Sequence, residues 1–95
     1  MTTIYVVMRT TGEYSDRTEW PVMAYRDEKA AQAHVEKATE VADVLMSKFP
    51  GYGNDERWKA FCKLVNAFES PHDPGFRWND TGTSYYIMKV ELADE

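Results

Sequence analysis

The sequence predicts an α+β fold: a three- to four-stranded antiparallel sheet with two helices packed on one face, in the order β-β-α-α-(β)-β. Three observations carry this. Two apolar runs, residues 3–9 and 18–25, flank a short Gly-bearing loop. Two central segments repeat their apolar residues at helical spacing. The last long segment, residues 84–92, alternates with the period of a strand. At 95 residues the chain suits a single domain, and no linker, internal repeat or low-complexity stretch divides it.

The first run holds Ile4, Tyr5, Val6, Val7 and Met8, apolar at successive positions, which suits a central strand covered on both faces. The second run places Trp20, Val22 and Ala24 on one face and Met23 and Tyr25 on the other. Pro21 has no N–H to give to a ladder, so this strand belongs at an edge or carries a bulge at Pro21. The two runs form a hairpin with Gly12–Asp16 at its tip. Asp27 is a suitable N-cap, and Glu28 follows where the helix dipole favours negative charge. The first helix runs to about Lys48, with Ala31, Val35, Ala38, Ala42, Leu45 and Phe49 as its buried stripe, widened by Val41 and Met46. "FPGYG", residues 49–53, stops it, since Pro50 cannot continue the hydrogen bonding.

A second helix is expected over 55–69, capped by Asn54, with Trp58, Phe61, Cys62, Val65 and Phe68 along one side. Asp55 and Lys59 are spaced to pair on its outer side. "SPHDPG", residues 70–75, ends it. A short strand near Phe76 is allowed, then "NDTG" makes a turn. In the final strand Tyr86, Met88, Val90 and Leu92 point one way and Tyr85, Ile87, Lys89 and Glu91 the other. The first strand should be central, with the last one antiparallel beside it.

Composition narrows the function. Aromatic residues make up 14% of the chain, with three Trp and six Tyr, more than a small core readily hides. Rings left outside favour protein contacts. The net charge is −5 and no Lys/Arg cluster occurs, which argues against direct nucleic-acid binding. Cys62 is the single cysteine, so a reducing compartment is expected. The N-terminal residues lack the pattern of a secretory signal or a membrane span. A cytoplasmic protein is the expectation.

The strand "IYVV", the loop "GEYSD", a second strand and then "DEKAAQAHV" entering a helix resemble small uncharacterised proteins of tailed bacteriophages and prophages. The closing "YYIMKVEL" is similar to their last strand. Residues 50–75 depart from the pattern, as an insertion with a second helix and several aromatics. The resemblance implies a phage or prophage origin, and with it the host cell cytoplasm, and a small α+β fold, and brings no catalytic residues.

The residues that could carry chemistry have simpler roles. Cys62 lies on an apolar helix stripe and reads as a packed thiol. His34 sits beside such a stripe, where a general base would need a polar partner in a cleft. His72 and Asp73, with Asp80, lack the close ligand spacing of a metal site. Glu36 and Glu40 read as a solvated helix face. "GYG" and "TGT" lack the following Lys of a phosphate loop. "GEYSD" reads as a turn, as a docking tip presenting Glu13, Tyr14 and Asp16, or as an active site in which Ser15 would need a base. Tyr52, Trp58, His72, Phe76 and Trp78, with Arg77 among them, form a second candidate surface, unless their rings make a small core of their own. The expectation is a non-enzymatic accessory protein without cofactor or metal that binds a host bacterial protein, in the manner of an inhibitor of host defence such as an anti-CRISPR. The alternatives are a homo-oligomeric assembly protein, a homodimer included, and a small hydrolase or nucleotide-binding enzyme combining His34, His72, Asp73 and Ser15.

Overall fold

The computed structural model describes residues 2–12, 17–53 and 55–93. Its elements are β1 (Thr2–Thr11), β2 (Thr18–Tyr25), α1 (Glu28–Ser47), α2 (Asp55–Ala67) and β3 (Thr83–Leu92). The strands form one antiparallel sheet in the order β2-β1-β3, so the most apolar strand is central and the last strand is antiparallel to it. The fold is α+β as the sequence predicts. No strand forms around Phe76: residues 76–79 are irregular, and the sheet holds three strands.

Pro21 accounts for the shape of β2, which is both an edge strand and a bulged one. Met8 pairs with Pro21 and Val7 with Met23, which leaves Val22 as the extra residue. The bulge changes which side chains face inward. Strict alternation would send Val22 and Tyr25 to opposite faces, yet both pack against the core, while Ala24 is exposed and Met23 is half exposed. An inserted residue shifts the period of two by one, and every position beyond it changes face.

Helix α1 starts at Asp27, whose carboxylate accepts the N–H of Lys29 at 3.1 Å. It closes over the sheet with Ala31, Ala38 and Ala42, which bury against Val7 and Tyr85. Alanines at these positions let the helix approach the strands closely. Tyr5, Tyr25, Val35, Phe76 and Ile87 surround this cluster. Past the helix end Gly51 adopts a φ of 83°, a conformation that favours glycine. Helix α2 ends at Ala67, two residues before the expected stop, and Phe68 N–H closes it on the carbonyl of Val65. Asn54 and the Asp55 side chain, with the expected cap and ion pair, lie outside the described residues.

None of the residues of α2 joins the core on the sheet. Its buried residue, Phe61, packs instead among aromatic rings from the flanking segments. The molecule is correspondingly long. Its radius of gyration is 15.8 Å, against about 12 Å for a compact chain of this length. The Cα extents are 58 × 27 × 16 Å. A ten-residue strand spans about 33 Å and a twenty-residue helix about 30 Å, so sheet and α1 fill little more than half of the long axis.

The thin 16 Å axis leaves room for a sheet and one helical layer. The face of the sheet turned away from α1 is therefore open. Cross-strand pairing puts Ile4, Val6 and Met8 on it beside Val90, Met88 and Tyr86, with Ala24 and Pro21 on the third strand. None of these belongs to the cluster against α1, but Met8 among them is buried, at 7% exposure. Among the described residues no helix is long and apolar enough to cross a membrane.

Candidate functional site

Two groupings collect the residues that sequence reasoning singled out. The first is a buried polar knot beside α1. Arg9 shares the inward row of β1 with Tyr5 and Val7, so its guanidinium points where charge is costly. Asp73, 2% exposed, meets it: one Arg9 Nη reaches both carboxylate oxygens, at 2.9 and 3.0 Å. The Tyr85 hydroxyl donates to the same carboxylate at 2.7 Å. Burial, then this bond to Asp73, pushes the Tyr85 phenol far above its ordinary range. The Ser70–Gly75 turn holds Asp73 in place through Asp73 N–H to Ser70 O and Phe76 N–H to Asp73 O. A Cβ on Gly75 would lie 3.2 Å from Arg9 Nη1, so the turn is fitted closely to the guanidinium.

His34 belongs to the same region. Its Nε2 lies 2.6 Å from the carbonyl of His72 and must donate, because a carbonyl only accepts. Nδ1 then accepts from the Tyr25 hydroxyl at 2.7 Å. The structure thus brings His34, His72 and Asp73 together, as the enzyme alternative would need; Ser15 lies outside the described residues. Both nitrogens of His34 are nevertheless committed, and the Asp73 carboxylate is held by Arg9 and Tyr85. The groups tie the 70–76 loop to α1 and the sheet. Asp80 stands apart and accepts from Tyr52 at 2.9 Å. Among the described residues no three His, Cys, Asp or Glu side chains gather as a metal site would require.

The second grouping is an aromatic end. Phe49, Tyr52, Trp58, Phe61 and Trp78 stack with ring centroids 5.1–6.1 Å apart, drawing on the α1 exit, α2 and the segment before β3. Phe61 is buried at the centre, Phe49, Trp58 and Trp78 are half-buried, and Tyr52 is 64% exposed. A groove of about 200 Å³ runs between α2 and Trp78, lined by Trp58, Phe61, Cys62, Val65 and Asn66. The expected surface is therefore divided. Tyr52 and Trp78 belong to this end, Arg77 is exposed between, and Phe76 turns away to pack on Phe68 and the sheet core. Trp58, expected on this surface from the sequence, is central to it, whereas His72, expected there as well, lies beside His34 instead.

The comparisons stop short of any relative. No family model, curated protein or solved structure matches this chain.

The hairpin tip was the other candidate. Glu13, Tyr14 and Asp16, with Ser15, lie outside the described residues. Thr11 and Thr18 pair just below them, their hydroxyls 2.8 Å apart, and Thr83 pairs with Thr11 on the other side. The hairpin and the segment bearing Trp78 thus enter the sheet from the same end.

Proposed function

We propose that this protein is a non-enzymatic accessory protein of phage or prophage origin that grips a host bacterial protein with its aromatic end. One observation carries the reading: α2 is held to the body by a stack of rings in which Tyr52 is exposed and Trp58 and Trp78 are half-buried, beside the exposed Leu64. Trp and Tyr at a desolvatable rim are the side chains that most often dominate protein–protein binding. The commitment of His34 and Asp73 to internal bonds supports a binding role over hydrolysis. Inhibition of a host defence system, in the cytoplasm, suits a small acidic binder of this origin.

Affinity capture from bacterial lysate tests the reading. The wild-type chain should retain one host protein in stoichiometric amount at both low and high salt. Tyr52→Ala and Trp58→Ala should lose it while keeping their circular dichroism. Failure to retain any stoichiometric partner, or equal retention by the variants, would refute the proposal.

A further inference from the structure

We infer that the segment of the partner gripped by the aromatic end is acidic, with carboxylates flanking an apolar anchor. The inference rests on the proposed function, because it describes the partner of that same surface. Three grooves, of about 200, 290 and 470 Å³, run along α2. Trp58, Phe61, Cys62, Leu64 and Val65 supply their apolar walls.

The charge along these grooves is the reverse of the charge of the chain. The chain has 16 acidic residues and 11 basic ones. Yet Lys48, Arg57, Lys59 and Lys63 line the grooves, and Glu56 is the one carboxylate among the described lining residues. Adding Asp55, next to Glu56 in sequence, still leaves cations ahead by two to one. All five described charged side chains are exposed, and the Lys48, Lys59 and Lys63 ammonium groups make no ion pair with a described residue. A carboxylate beside a docked apolar side chain would meet opposite charge here, and an ammonium group would meet like charge. The body is 58 Å long, and the screening length is about 10 Å at 0.1 M salt, so a docked segment feels chiefly these local cations. A nucleic-acid strand fits less well. Lys48 and Arg57 line one groove and Lys59 and Lys63 another, so the cations form no single track for a phosphate backbone.

Nuclear magnetic resonance titration of the isotope-labelled chain tests the inference. The probes are the blocked peptide Asp-Glu-Leu-Phe-Glu-Asp, its counterpart with Lys for every acidic residue, and a single-stranded oligothymidylate. At about 50 mM salt, where screening is weak, the acidic peptide should shift the amides of Ala60 and Leu64 and the indole N–H of Trp58. It should bind roughly fivefold more tightly than the lysine peptide. Lys48→Glu and, separately, Lys63→Glu change one groove each, and each should weaken acidic-peptide binding about threefold with unchanged circular dichroism. No shift along α2, equal or tighter binding of the lysine peptide, preference for the oligothymidylate, or indifference to both glutamates would overturn the inference. Its failure is distinct from failure of the binding role. Capture of a host protein that is undiminished by both glutamates would refute the acidic partner and leave that role standing, whereas capture of no partner refutes the role whatever the peptides do.

Discussion

Arg9 is a cation on the inward row of a strand, and its presence there is tolerable because Asp73 and Tyr85 meet it. Removing one partner of such a pair leaves the other charge buried. Asp73→Ala should therefore destabilise the fold by about 3 kcal/mol, read as a shift in the urea midpoint without a change in slope. Tyr85 adds a pH dependence. Its phenol is held protonated in the folded chain well above the value near 10 that it has when unfolded. The unfolded state thus releases its proton first, and the associated stability is whole below pH 10 and declines as pH rises beyond it. Stability of the wild type should fall more steeply above pH 10 than that of Tyr85→Phe, and equal slopes would show that Tyr85 carries no such coupling. Tyr52 and Tyr86 are also shifted upward, through Asp80 and through burial respectively, but both are near the surface and should add little. Sequence reasoning could have asked for a partner to Arg9 from its place in the row of Tyr5 and Val7. It could not have chosen Asp73, which is 64 residues away in a turn that looked like ordinary loop chemistry.

At the scale of elements, local signals were faithful where one residue type decides the geometry. Pro21 marked the edge and the bulge, Asp27 marked the start of α1, and the alternation of residues 84–92 set Tyr85 and Ile87 on the face opposite Met88 and Val90, though not which face turns inward. The inward set of β2 was missed because a bulge changes the parity of side chains without leaving a pattern of its own. The aromatic end was missed in part for a related reason. The spacing of Trp58, Phe61 and Val65 reports that α2 has an apolar side, but not whether that side meets the sheet or a separate cluster of rings. This separation predicts unequal stability. Because α2 lies outside the core on the sheet, its amides should exchange with solvent through openings of lower free energy than those of β1. Native-state hydrogen exchange reads both elements at once, and a common opening energy would mean that the aromatic end and the sheet unfold as one unit.

The whole molecule is a thin two-layer body with an aromatic end, and both of its unusual surfaces follow from the same economy of material. A single helix with small inward residues covers one side of three strands, and the other side keeps an apolar row that is exposed at Met88 and Leu92 and buried at Met8. The rings that the core has no room for gather around α2. Composition alone indicated surplus aromatics, and the apolar run of β1 indicated two covered faces. Neither indicated that the chain itself covers only one of them, because the placement of α2 is a tertiary outcome.

The most direct measurement of the binding role uses the three tryptophans as reporters. Trp58 and Trp78 stand at the aromatic end, whereas Trp20, 61% exposed, stands on β2 opposite Arg9. Adding the captured host protein to isotope-labelled chain should move the indole N–H resonances of Trp58 and Trp78 and leave that of Trp20 in place. A shift confined to Trp20, or no shift in any of the three while binding occurs, would contradict the account.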